Sequence, residues 1–188
     1  RTIIIGSRIG KPIFPEQTQV DPEKRNGTYS LLLSDWRTVR EAIGDLPRKP
    51  TGDNLHLARN PTPRSLERYR SIPPGGNRWD LPVHLMPECW IKKTKGGTDL
   101  LGRLWWDRPS VTIRTEFFKP EKGRYLHPEE DRPITHREAA RLQGFPDDFI
   151  FTGSKISIAK QIGNAVPVQL GEAIARAVLE MMDHAEKV

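Results

Sequence analysis

Apolar positions follow three successive rhythms along this chain. Thr2-Ile-Ile-Ile-Gly6 is an unbroken β-branched run closed by glycine, the pattern of a strand buried on both faces of a sheet. Residues 8–30 replace it with proline, glycine and polar groups, the text of a connector. Helical spacing begins at Ser34-Asp-Trp-Arg-Thr-Val-Arg-Glu-Ala-Ile-Gly44. Ser34 or Asp35 is the expected cap, Trp36, Val39 and Ile43 share one face, and Gly44 with Pro47 ends the helix. Residues 48–98 are loop-dominated. A short helix is predicted around Ser65–Arg70, and regular structure is not expected across Ile72–Trp79.

Alternation suited to short strands appears from 100 to 126: Leu101 to Trp106, Val111 to Phe118 and Arg124 to Leu126, separated by proline-containing turns. Thr135-His-Arg-Glu138 is a capping-box sequence, opening a helix that points Ala139 and Leu142 inward and stops at Gly144 and Pro146. A last helix starts at Pro167, with Leu170, Ile174, Ala177, Val178 and Met181 as its apolar stripe and Glu172, Arg176, Glu180 and Asp183 outward. One buried-type strand and one amphipathic helix at opposite ends suit a parallel sheet whose other elements lie elsewhere, so the chain is expected to be part of something longer.

Composition sharpens this. Only 36% of residues are hydrophobic, and 17 prolines and 15 glycines commit much of the backbone to turns. The single cysteine, Cys89, excludes a disulfide framework, and no run of about 18 apolar residues is present to cross a membrane. Net charge is +6. Residues 36–95 hold twelve Lys/Arg against six Asp/Glu, whereas the flanking stretches are near balance. Concentrated positive charge is the footprint of a polyanion partner or simply a solvated surface; charge alone leaves both open.

Four segments, in order, resemble the DNA cytosine-5 methyltransferase family. Arg132-Pro-Ile-Thr-His-Arg-Glu-Ala-Ala-Arg-Leu-Gln-Gly-Phe-Pro-Asp-Asp-Phe149 is similar to its penultimate block, and Gln161-Ile-Gly-Asn-Ala-Val-Pro167 to its final one. Arg1-Thr-Ile-Ile-Ile-Gly-Ser-Arg8 resembles the end of a Gln-x-Arg-x-Arg block running into a strand. Trp106-Asp-Arg-Pro-Ser-Val-Thr-Ile113 resembles the Pro-Ser-x-Thr-Ile segment near the end of the target-recognition region. Residues 48–98 match least, as a variable recognition region should. The family's Phe-x-Gly-x-Gly, Pro-Cys and Glu-Asn-Val strings are absent, and Cys89, in Pro87-Glu-Cys-Trp90, is not read as a nucleophile.

The resemblance implies an α/β fold: the C-terminal part of a Rossmann-like S-adenosylmethionine-dependent methyltransferase, joined to an irregular mixed α+β target-recognition domain. Its expected boundaries are 1–30 for the end of the catalytic sheet domain and connector, 31–153 for the recognition domain, and 154–188 for the return to the catalytic domain. The implied chemistry flips a cytosine from the duplex, adds a cysteine thiolate to C6, and transfers a methyl group to C5. Among these residues Arg1 is the candidate base contact, the other reading being a charged strand end facing water. Asn164, Ala165 and Val166 are the candidate cofactor residues. Gly163 permits close backbone approach there, although asparagine is also a common helix cap.

For DNA, Thr112 aligns with the family's recognition segment. Arg103, Arg108 and Arg114 are candidates for guanine O6/N7, and Lys92, Lys93 and Lys95, beside Gly96-Gly97, for phosphates. His56, Arg64, Arg68 and Arg70 add to the basic middle. Trp105, Trp106, Leu142, Phe145 and Phe149 are expected in the core. His136, Arg137 and Arg141 either reach phosphate or face solvent. The five histidines show no metal-ligand spacing, and no nucleophile elbow is present. The implied partners are double-stranded DNA and the catalytic half, in a bacterial cytoplasmic restriction-modification setting. The alternative is a stand-alone DNA-binding module without catalysis.

Overall fold

The computed structural model describes residues 2–185. The chain forms two compact units, one of residues 1–36 with 166–188 and one of residues 37–165. It is a mixed structure of seven α-helices, short 3-10 turns and a single small sheet among the described residues.

In the first unit β1 (Gln19–Val20) pairs in parallel with β2 (Ser34–Asp35), with Gln19 opposite Ser34 and Val20 opposite Asp35. Parallel neighbours need a crossover, and here it holds a 3-10 turn at Pro22–Lys24 and helix α1 (Gly27–Leu31). The Asp21 side chain caps the turn by accepting from the Glu23 amide, and Arg25 ties the crossover to Asp35 and the Ser30 carbonyl. The strand expected at Thr2–Gly6 is not formed: the segment is irregular and Ile4 is 89% exposed. A β-branched run makes a ladder only with a neighbour, and none pairs with it among the described residues. Helix α7 (Val168–Ala185) follows Pro167 as expected. Ala177 and Met181 are buried on its apolar stripe, Leu170, Ile174 and Val178 are half-buried, and Glu172 pairs with Arg176 on the outside.

The second unit is built on α2 (Val39–Ile43), α5 (His136–Leu142) and α6 (Lys155–Asn164), which pack α2 on α5 and α5 on α6. Their buried faces close on Leu104, Ile113, Phe117, Tyr125 and Ile134. Helix α2 starts later than Ser34. Thr38 and Glu41 form its capping box, because Ser34 and Asp35 are already engaged in β2. Its first amides, at Val39 and Arg40, donate to the carbonyls of Arg108 and Trp106. The Thr135/Glu138 capping box on α5 forms as expected. Helix α6, capped by Ser154, is an element that the apolar rhythm alone did not reveal.

A second apolar cluster holds Tyr69, Ile72, Leu81, Leu85, Leu101 and Leu126. It rests on α3 (Pro63–Arg70), capped by Thr62, and lies near the short α4 (Glu88–Ile91), whose Trp90 packs against it. The strands expected between 101 and 126 are absent. Two isolated bridges remain, Arg103 with Leu126 and Leu126 with Pro133. The physical reason is visible in the backbone. The Leu101 amide donates to the Pro120 carbonyl and the Arg103 amide to that of Gly76, the Arg103 carbonyl is taken by the Arg124 guanidinium, and Leu101 adopts φ +52°, outside the β region.

Candidate nucleic-acid interface

The segment Asp107–Thr115 presents side chains by simple alternation. Ile113 is buried and anchors it, while Thr112 and Arg114 on either side are exposed. The Tyr125 hydroxyl donates to the Thr112 carbonyl at 3.1 Å, which fixes the backbone at that point. Burial raises the Tyr125 phenol above its ordinary range, so it remains a donor at neutral pH. Arg108, also exposed, lies with its guanidinium carbon 5.2 Å from the centre of the Trp105 ring. Trp105 and Trp106 are half-buried: Trp106 joins the main core and donates to Glu129, and Trp105 meets the Arg124 guanidinium at 4.0 Å.

Lys92, Lys93 and Lys95 are all exposed on the loop after α4, which turns at Gly96 and Gly97 with φ +74° and +69°. Cys89, one helical turn earlier, is an exposed free thiol. None of Lys92, Lys93, Lys95, Arg108 and Arg114 has a carboxylate partner among the described residues. Elsewhere in this unit several arginines are paired: Arg40 with Asp107, Arg48 with Glu129, Arg70 with Asp131.

Arg103 is a correction. Its side chain is only 4% exposed, and Nε donates to Ile72, Nη1 to His127 and Glu130, and Nη2 to Tyr69 and Asp131, all at 2.7–3.0 Å. With every N–H engaged, it has nothing to offer a base edge. Arg137 and Arg141 likewise neither face solvent nor stand free for phosphate. Arg137 is buried against Asn54 and the Pro146 carbonyl, and Arg141 is held between Asp147 and Asp45. Those bonds, to Asp147 first, hold the Arg141 charge even more firmly than usual. His136 is buried, its Nε2 at 3.0 Å from the Lys155 carbonyl. In the basic middle, His56 is buried between Thr135 and the Pro47 carbonyl, and Arg68 donates to the Leu85 carbonyl, so the surface charge there is less than the count implies. Phe145 packs on the main core as expected, but Phe149 is 45% exposed, its ring against those of Phe145 and Phe151.

The final block departs from expectation in its local geometry. Asn164 is the last residue of α6, not the cap of a following helix, and the Ala165 amide donates back to Gln161. Gly163 does permit close approach, but of this chain's own backbone: a Cβ there would lie 2.5 Å from the Arg114 carbonyl carbon. Gln143, 4% exposed, donates from Nε2 to the carbonyls of Ile162 and Ala165, closing the open end of α6. The two most distinctive blocks therefore touch each other, and the second supports the Arg114–Thr115 backbone. Asn164 and Val166 are exposed and Ala165 half-buried; the Asn164 side chain makes no hydrogen bond among the described residues. Arg1 lies outside the described residues.

Behind the segment sits a buried polar cluster. Arg132 meets Glu138 through two 2.8 Å bonds, and His127 Nε2 lies 3.8 Å from the same carboxylate. Burial alone would raise the Glu138 carboxyl, yet the bonds and charge of Arg132 bring it below its ordinary value. His127 Nδ1 accepts from the Glu129 and Glu130 amides, and burial pushes the imidazole down to about 4, so it is neutral.

Comparison with known proteins agrees with these blocks. Residues 1–180 match the family described as C-5 cytosine-specific DNA methylase, and the chain belongs to that family. It is similar to the type II methyltransferase M1.HphI of Haemophilus parahaemolyticus, 36% identical over 186 residues that cover 96% of this chain and 43% of that protein. It is also similar to the type II methylase M.HgiDII of Herpetosiphon aurantiacus, 38% identical over 160 residues, covering 79% of this chain and 45% of that one. A plant relative, DNA (cytosine-5)-methyltransferase 1B of Oryza sativa subsp. japonica, is 35% identical over 183 residues, covering 86% of this chain and 12% of that protein. The chain thus spans less than half the length of each of these relatives. No helix among the described residues is long and apolar enough to cross a membrane.

Proposed function

We propose that this chain supplies sequence-specific duplex recognition to a DNA cytosine-5 methyltransferase of restriction-modification type, the nucleophile being carried by residues outside this sequence. One observation carries the reading: the cations on the surface of the Asp107–Thr115 segment and the Lys92–Gly97 loop are exposed and have no carboxylate partner among the described residues, whereas Arg40, Arg48, Arg70, Arg103, Arg132 and Arg141 of the same unit are engaged. Unpaired exposed cations suit a polyanion, since each phosphate contact releases condensed counterions. In this reading Arg108 and Arg114 meet base edges, Thr112 lies against the duplex, and Lys92, Lys93 and Lys95 hold phosphates.

The parallel β1–β2 pair and α7 are read as belonging to a Rossmann-like sheet domain, an architecture in which parallel strands are covered on both faces. Asn164, Ala165 and Val166 form the cofactor-side turn, and the free Asn164 amide is the polar group suited to meet a ligand there. S-adenosylmethionine supplies the methyl group when bound. This chain's part is to hold that turn and the duplex in place, and Arg1 is the residue proposed to contact the flipped cytosine.

Mixing the chain with a separately expressed catalytic half carrying a Pro-Cys, together with tritiated S-adenosylmethionine and duplex DNA, tests this. Label is expected in DNA only when both halves are present. Duplex affinity without any restored transfer favours a stand-alone binding module instead. Neither affinity nor transfer sinks the proposal.

A further inference from the structure

Arg78 is 2% exposed, yet no carboxylate approaches it among the described residues. Its guanidinium lies 4.1 Å from the centre of the Trp79 ring and 5.9 Å from that of Trp90. Only Nη2 is hydrogen-bonded, to the carbonyls of Gly96 at 2.8 Å and Lys93 at 3.4 Å, while Nε and Nη1 are buried without partners. The loop is fitted to this side chain from its own side as well. Gly97 sits at φ +69°, and a Cβ there would come within 3.0 Å of Arg78 Nε. At the far end the Arg78 amide donates to the Leu100 carbonyl. The segment carrying Lys92, Lys93 and Lys95 is therefore wound around one buried cation.

This is an unfavourable place for a charge on stability grounds alone. A buried cation without an anion is held only by carbonyl dipoles and ring faces, and the loop it bonds carries three further cations. The arrangement is rational if an anion arrives later. We propose that Arg78 is the positioning residue of the lysine loop: its fork fixes the backbone at 93 and 96 so that the three ammonium groups are held ready for the DNA backbone. The inference rests on the duplex-recognition reading above and adds to it a residue that never touches DNA.

Two readouts test it on the full chain. Trypsin cleaves after lysine, and Arg78→Met is expected to speed cleavage after Lys92, Lys93 and Lys95 by about tenfold with other sites unchanged, because cleavage follows the population of the opened segment. The same substitution is expected to weaken binding to a short mixed-sequence duplex by about tenfold and make its salt dependence shallower. In a background of Lys92→Ala, Lys93→Ala and Lys95→Ala that loss should vanish, since the residue acts through the lysines. Gly97→Ala, which crowds Arg78 from the loop side and leaves the core residue in place, should reproduce both effects if Arg78→Met fails to fold. Unchanged loop cleavage, or a full affinity loss persisting in the triple-alanine background, overturns the inference while leaving the interface standing. An unaltered chain with no affinity for any duplex overturns both.

Discussion

Arginine does two different jobs in this chain, and the one-letter sequence does not separate them. Arg103 and Arg114 both looked able to read guanine, yet one is sealed behind four backbone carbonyls and Asp131 while the other stands exposed without a partner. Substitution separates the two roles. Arg103→Met leaves several carbonyls and Asp131 unmet and is expected to cost about 3 kcal/mol or more of stability, seen as a lower unfolding midpoint. Arg114→Ala should leave that midpoint unchanged and instead reduce discrimination among duplex sequences by about 1–3 kcal/mol at one base pair, measured by competition between single-base variants. If Arg103→Met folds normally and only specificity changes, the assignment of roles is reversed.

At the scale of elements, legibility followed local chemistry. The Thr135 cap on α5 was readable because all its determinants lie within four residues, and the stripe of α7 because eighteen residues repeat it. The cap of α2 was misplaced by three or four residues because Ser34 and Asp35 are taken by a parallel partner that local pattern cannot announce. The strands expected near Leu101–Leu126 failed because Leu101 is held at a positive φ and the segment's bonds run out of it to distant loops, the Arg103 amide to Gly76 and the Arg124 side chain to Gly75, over separations of tens of residues. In the candidate site, Thr112, Arg108, Arg114 and the three lysines are exposed. The roles of Arg78 and Gln143 were hidden because their partners are main-chain atoms far along the chain. The packing of α6 on the Asp107–Thr115 segment gives an element-level prediction. Gly163→Ala places a methyl group against the Arg114–Thr115 backbone, which cannot yield as a side-chain tip would. A cost of about 1–3 kcal/mol is expected, lowering the melting temperature by several degrees, together with weaker duplex binding as the segment shifts. Unaltered melting would mean the helix can slide aside.

For the molecule as a whole, acid is the revealing perturbation. His127 is pushed by burial to about 4 in the folded chain against an ordinary value of 6.5, with Glu138 and Glu129 opposing the shift and Arg132 and Arg103 adding to it. Its folded value is depressed, so above about pH 6.5 neither state holds the proton and stability is complete. Between 6.5 and 4 the unfolded chain takes up a proton that the folded chain refuses, and stability falls by up to about 3 kcal/mol. Buried His136 is shifted the same way. Denaturant midpoints at pH 7.5 and pH 5 should differ accordingly. His127→Asn, which keeps an acceptor for the Glu129 and Glu130 amides but does not titrate, should flatten that part of the profile.

The buried guanidinium groups have one more consequence. What Arg78, Arg103 and Arg124 grasp is mostly main-chain oxygen in loops, at Gly96, Ile72, Gly75 and Gly76 among others. Every amino acid carries that oxygen. A framework fastened in this way is indifferent to side-chain identity along much of what it fastens, so residues on the surface are free to diversify while the frame beneath them keeps its shape.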